Sequence, residues 1–274
     1  MSEKDMLHTG TVDTTRVLED LWCVRTLMVN VGFAGRPDRG DWIMIDTGLG
    51  PFRNALIGEA DRLFGRPPQA IVLTHGHFDH VGNVRELADL WGIPVYAHVL
   101  EFPYLTGLED YPEGDPTVGG GLMAGVAPAY PNRAIDLKDR LLPLPEDGRV
   151  PGAPEWRWIP TPGHSPGHVS LFRERDKAMI AGDAFITVKQ ESALAVMKQE
   201  RELHGPPMYF TPDWEHAKES VRKLAALFPE VALTGHGQPM SGRDLQFGLN
   251  RLAEHFDELA VPEQGRYVND NEKA

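Results

Sequence analysis

The segment Thr74-His75-Gly76-His77-Phe78-Asp79-His80 constrains this chain more than any other stretch. It sets three imidazoles and one carboxylate within the six residues from His75 to His80. An isolated histidine is ordinarily a surface or core residue without chemistry. Three so close together cannot all serve as apolar filler, because each neutral ring carries a donor and an acceptor that need partners. Neutral imidazole with carboxylate is a ligand set for zinc, and also for iron, manganese or cobalt. The apolar run Ala70-Ile71-Val72-Leu73 before the segment reads as a buried strand. After it, Val84, Leu87, Ala88 and Trp91 recur at helical spacing. The cluster thus lies where a strand ends and a helix begins, the place where layered α/β folds collect ligands.

The same grammar recurs along the chain. The runs Trp42–Ile45, Glu155–Pro160, Ala178–Ala181 and Val231–Thr234 read as strands, and a ligand-type residue follows each: Asp46, His164, Asp183 and His236. Each alone is an ordinary turn residue. With the 75–80 cluster they supply five His and three carboxylates at strand ends, enough for two metals.

The remaining pattern is α+β. Val24 to Phe33 reads as a strand paired with 42–45, and Leu137 to Pro151 as a connecting hairpin. Helices are expected over 51–64, after His80, over 188–204, from 211–213 to Phe228, and from Ser241 to about Leu259. Strands followed by helices in both halves suggest two sheets with helices outside, within one domain spanning residues 1–274. Residues 101–133 hold five Pro and six Gly and read as an irregular, lid-like insertion. The polar end of the chain from about 262 reads as frayed.

Composition removes several functions. A formal charge of −13 argues against a nucleic-acid binder. Cys23 is the sole cysteine, so neither an internal disulfide nor a cysteine zinc site can form. No uninterrupted apolar run is long enough to span a membrane. The first ten residues lack an apolar segment behind their charges. The expectation is a cytoplasmic protein with a small-molecule substrate; its oligomeric state is open, a homodimer included.

His75-x-His77-x-Asp79-His80, followed in order by His164, Asp183 and His236, resembles the metallo-β-lactamase-fold hydrolase superfamily. The resemblance covers about Asp46 to His236 and implies a four-layer αββα sandwich with two metals at one edge of its sheets. It implies that His75, His77 and His164 hold one ion, and that Asp79, His80 and His236 hold the second. Asp183 would bridge them, and Asp46 and His168 would support the ligands. The implied cofactor is two Zn2+, with Fe or Mn as alternatives. The implied reaction is attack of a bridging hydroxide on an ester, thioester or lactone carbonyl, a β-lactam fitting less well. With two Zn2+, Asp79, Asp183 and that hydroxide, the site keeps a formal charge of about +1, which favours an oxyanion. From its position Asp79 is also a candidate proton acceptor.

Pro162-Gly163-His164-Ser165-Pro166-Gly167-His168 is similar to glyoxalase II and to N-acyl homoserine lactonases. The tyrosine that those lactonases carry shortly after the bridging Asp is missing, since Ala184-Phe185-Ile186-Thr187 stands there. Alternatives from the same superfamily are an iron-dependent oxygenase of the persulfide dioxygenase type and a small-molecule phosphodiesterase. A non-enzymatic metal-binding protein fits least, because seven ligands around two metals leave coordination positions open. Phe185 and Tyr209 are candidate substrate contacts.

Overall fold

The computed structural model describes residues 10–268. Seven strands form the first sheet in sequential order: β1 (Asp13–Leu18), β2 (Leu21–Thr26), β3 (Val29–Arg36), β4 (Asp41–Ile45), β5 (Ile71–Val72), β6 (Val95–Ala97) and β7 (Leu141–Pro143). The first four pair antiparallel and the last four parallel. The second sheet runs β13 (Met240–Ser241), β12 (Val231–Thr234), β11 (Ala178–Gly182), β10 (Val169–Arg173), β9 (Ala153–Pro160) and β8 (Arg149–Val150). Only β11 and β12 are parallel there.

Period-2 alternation explains why these strands read as unbroken apolar runs: both faces are covered. In β2, Leu21 and Cys23 point between the sheets, while Trp22 and Val24 point to the outer core of the first sheet. In β4, Ile43 and Ile45 point between the sheets, and Trp42 and Met44 outward. In β11, Ala178 and Ile180 face the first sheet, and Met179 and Ala181 face outward. Helices α1 (Arg53–Phe64), α2 (Phe78–Val81) and α3 (Val84–Trp91) contribute Leu56, Val81, Val84 and Leu87 to the first outer core. The second outer core takes its helical part from α7 (Trp214–Ala225), α8 (Gly242–Glu254) and α9 (Phe256–Leu259), through Val221, Leu224, Leu249 and Phe256. Three apolar seams between four layers make the expected αββα sandwich.

Several local expectations change. The strand expected over 24–33 is a hairpin, β2 and β3, turning at Leu27-Met28 with Leu27 at φ 67°. The stretch 137–151 is not a hairpin; β7 closes the first sheet and β8 opens the second. The helix expected over 188–204 is only α6 (Ala193–Lys198), capped by the Ser192 hydroxyl and ended by Gln199 in the left-handed region. The irregular 101–133 segment forms short helical turns, including α4 (Phe102–Leu105) and α5 (Leu122–Gly125). Its Val118, Ala124 and Ala127 pack on Tyr209.

Residues 262–268 are not frayed. Gln264 Nε2 donates to the Thr117 carbonyl at 2.8 Å, and the Arg266 backbone N–H donates to Asp115. Residues 269–274 lie outside the described residues, as do residues 1–9, on which the reading of the N-terminus rests. No helix among the described residues is long and apolar enough to cross a membrane.

Candidate metal centre

Strand direction delivers the candidate ligands to one edge. Asp46 follows β4 and the 75–80 cluster follows β5, two parallel neighbours. Asp183 follows β11 and His236 follows β12, also parallel neighbours. His164 lies in the loop between β9 and β10. Backbone hydrogen bonds then draw the two sheets together at this edge. The Val169 N–H donates to the Thr74 carbonyl at 2.9 Å, and the Asn30 N–H to the Gly235 carbonyl at 2.8 Å. Asn30 Nδ2 adds bonds to the carbonyls of Thr234 and Gly237.

All seven candidate ligands meet there, each buried, with Asp79 the most open at 8%. Potential ligand atoms of His75, His77 and His164 lie within 4.8 Å of one another, as do those of Asp79, His80 and His236, and those of His75, His80 and Asp183. Asp183 Oδ2 stands 3.4 Å from His164 Nε2, 3.6 Å from His80 Nε2 and 3.2 Å from His236 Nε2. It therefore faces nitrogens of both triads.

Partners outside the cluster fix the ring orientations. Asp46 accepts from Thr74 N–H, from Thr74 Oγ1 and from His80 Nδ1, each at 2.8 Å. A carboxylate can only accept, so His80 carries a proton on Nδ1 and directs Nε2 inward. The Thr74 hydroxyl spends its hydrogen on Asp46 and so accepts from His75 Nδ1 at 3.1 Å. Thr211 Oγ1 donates to the Pro207 carbonyl and thereby accepts from His164 Nδ1 at 3.2 Å. His236 Nδ1 donates to the Met28 carbonyl at 3.0 Å. His77 faces inward with Nδ1 instead, 2.9 Å from His164 Nε2.

The donor set fits metal binding on its own terms. His75 Nε2, His80 Nε2 and Asp183 Oδ1 are buried without any hydrogen-bond partner. A buried polar atom left so is costly and rare. Three ligand-type atoms unpartnered at one point are what a cation satisfies.

The electrostatics divide the centre. Burial holds His77 down to about 3, and holds His75 and His164 well below the ordinary imidazole value. Burial also opposes charge on His80, yet the carboxylates of Asp183, Asp46 and Asp79 outweigh it and raise this ring well above 6.5. His236 is raised against burial chiefly by Asp183. Burial would lift Asp183, but His236 and His80 pull it well below the carboxylate range. Asp79 is raised by burial. One side is thus a set of neutral lone pairs; on the other, carboxylates hold protons on His80 and His236, which a divalent cation can replace.

His168 is not in the inner ring. The Asp183 N–H donates to its Nε2 at 2.9 Å, and its Nδ1 meets Thr161 Oγ1 at 2.8 Å. It holds the backbone of Asp183, and burial keeps it neutral, down to about 4. Of the candidate substrate contacts, Tyr209 lines a cleft that reaches the centre, together with His77, His164, Tyr111, Phe210 and Tyr267. Phe185 does not. It is fully buried in the outer core of the second sheet, because the residue two beyond Asp183 points away from the centre.

Thr74, Thr211 and Glu101 escaped the sequence reading. For Glu101 a signal exists: an acidic residue soon after β6, at the same strand edge as the candidate ligands. Its carboxylate is buried and accepts from four donors.

Comparison with known proteins agrees with this geometry. The profile of the metallo-beta-lactamase superfamily matches residues 24–236. The chain is 47% identical over 235 residues to the probable metallo-hydrolase YflN of Bacillus subtilis (strain 168), covering 85% of this chain and 89% of that one. It is 30% identical over 201 residues to the probable metallo-hydrolase YybB of the same organism, covering 73% and 78%. Among solved structures, the BLEG-1 B3 metallo-beta-lactamase is similar with a TM-score of 0.54 and 25% identity, over 83% of this chain and 92% of that one.

Proposed function

The chain belongs to the metallo-β-lactamase superfamily, and on that footing we propose that it is a dinuclear, metal-dependent hydrolase of carbonyl substrates. Esters, thioesters and lactones are the substrate classes, and zinc is the metal proposed. The reading is carried by the three orphaned buried atoms, His75 Nε2, His80 Nε2 and Asp183 Oδ1, inside a set of seven ligand-type residues. His75, His77 and His164 would hold one ion and Asp79, His80 and His236 the other, with Asp183 between them. Bound there, the two ions supply a water acidic enough to be deprotonated near neutral pH and a Lewis acid for the carbonyl oxygen.

The protein's own groups do the rest. Asp46, Thr74, Thr211 and the Met28 carbonyl lock the imidazoles in the tautomers that leave lone pairs inward. Asp79, the most open of the seven at 8% exposure, is the carboxylate placed to accept a proton from a bound water. Tyr104, Tyr111, Pro112, Tyr209, Phe210, Pro212 and Tyr267 make one wall of the cleft largely aromatic. That wall suits a substrate with an apolar part beside its carbonyl.

The test is a panel on purified protein: metal content per chain, then thioester, lactone, ester, β-lactam and phosphodiester substrates with and without chelator. Two metal equivalents and chelator-sensitive hydrolysis of a carbonyl substrate are expected. Oxygen consumption with an iron-loaded protein, or turnover confined to phosphodiesters, would overturn the reading.

A further inference from the structure

Glu101 stands between the two loops that carry the three-histidine half of the centre. Its Oε2 accepts from the Gly76 N–H at 3.0 Å, and Gly76 lies between His75 and His77. Its Oε1 accepts from Ser165 Oγ at 2.8 Å and from the Gly167 N–H at 2.7 Å, just after His164. The Tyr111 hydroxyl completes the set by donating to Oε2, and Tyr104 stacks on Tyr111 with centroids 3.9 Å apart. Carboxylate, phenol and the donors they face are all buried.

Two glycines mark how closely this side chain is built in. A Cβ on Gly76 would come within 2.7 Å of the Tyr111 hydroxyl oxygen. A Cβ on Gly167 would come within 2.8 Å of both Cγ and the backbone N of Glu101. The loops therefore approach the brace as near as backbone allows, and a methyl group at either point would push them off it. A buried carboxylate is costly unless its lone pairs are matched, and here donors from three separate stretches match them. None of those donors belongs to the Asp79, His80 and His236 triad.

We infer that Glu101, with Tyr111, is a positioning residue that sets the spacing of His75, His77 and His164 and so controls the affinity of that half of the centre alone. The inference rests on the two-metal reading above. It assigns the 101–133 segment a second task besides walling the cleft: the segment's first residue is a strut between two ligand loops. Glutamine keeps the shape of the side chain but turns an NH2 towards an N–H donor, so one loop must release.

The experiment measures Co2+ and Zn2+ binding to metal-free protein by calorimetry and by the visible absorption of Co2+. Wild type comes first; two equivalents uphold the two-metal reading, and none refutes it independently of Glu101. Glu101→Gln and Tyr111→Phe are then compared, each also in a His236→Ala background where the second triad lacks one of its three residues. Loss of a supporting hydrogen bond typically weakens a metal site 10–100-fold. Glu101→Gln should weaken one equivalent by about that factor and shift its Co2+ bands, with the other equivalent and the far-ultraviolet circular dichroism unchanged. Tyr111→Phe, which keeps packing and removes one donor, should do the same more mildly, and carries the test if Glu101→Gln does not fold. Unchanged affinity in a folded variant, or equal weakening of both equivalents, overturns the inference.

Discussion

Replacing Asp46 should disable the centre from outside it. The carboxylate accepts from Thr74 N–H, Thr74 Oγ1 and His80 Nδ1, all buried. In Asp46→Ala, the buried Thr74 N–H and His80 Nδ1–H lose their acceptor. Each stranded donor costs about 1–3 kcal/mol. Asp46 also sits at φ 60°, a conformation that Asp tolerates and Ala adopts at an extra cost of about 1–2 kcal/mol. The sum is about 3–8 kcal/mol, against a total stability of about 5–15 kcal/mol for a typical domain. Asp46→Asn keeps the tolerated backbone and one acceptor oxygen, so about 1–3 kcal/mol is expected from a single stranded donor.

The consequences reach two candidate ligands. Freed from Asp46, the Thr74 hydroxyl can turn its hydrogen to His75 Nδ1, which moves the imidazole proton to Nε2 and blocks that nitrogen as a ligand. His80 loses the partner that keeps its proton on Nδ1. Urea denaturation of chelator-treated protein reads the stability, and metal titration reads the affinity. If chelator-treated Asp46→Ala falls within 1 kcal/mol of wild type and still takes up both metals with unchanged affinity, the tautomer argument is wrong.

Other perturbations separate roles that sequence alone merges. Phe185→Ala should cost about 3–5 kcal/mol by cavity formation and leave KM unchanged, whereas Tyr267→Ala should raise KM with little loss of stability; denaturation and steady-state kinetics on one ester would show the contrast reversed if the placement is wrong. His168 is held neutral to about 4, below its unfolded value near 6.5, so its contribution is complete above pH 6.5 and is lost as pH falls toward 4. The loss amounts to about 3 kcal/mol, and the slope of stability against pH in that window should flatten in His168→Gln. Metal that binds only the folded chain adds about 2.7 kcal/mol per site at a free concentration 100 times Kd, so chelation should lower Tm measurably; an unchanged melt would mean that no site of that affinity exists.

Much of this was legible because it is local. Three imidazoles and a carboxylate within 75–80 announce their chemistry whatever surrounds them, since no apolar core satisfies that many ring nitrogens. The strand-end positions of Asp46, Asp183 and His236 could also be read, because a buried strand is a continuous apolar run that stops where the edge begins. Local signals also misled. The run 24–33 looks like one strand because nothing in Leu27-Met28 is a turn residue; the sheets, not the residues, force that reversal. Phe185 and Tyr209 look alike as aromatics, and only the direction of the chain after β11 sends one into the core and leaves the other on the cleft.

What tertiary structure alone decided is which distant groups answer one another. Asp46 orients His80 across 34 positions, Met28 orients His236 across 208, and Glu101 joins Gly76 to Gly167. The first depends on β4 and β5 lying side by side, and the other two on the two sheets closing at one edge. Ligand identity is written in side-chain chemistry, residue by residue. Ligand geometry is a property of the packed sandwich, because a hydrogen bond between residues far apart in sequence exists only after the layers have met.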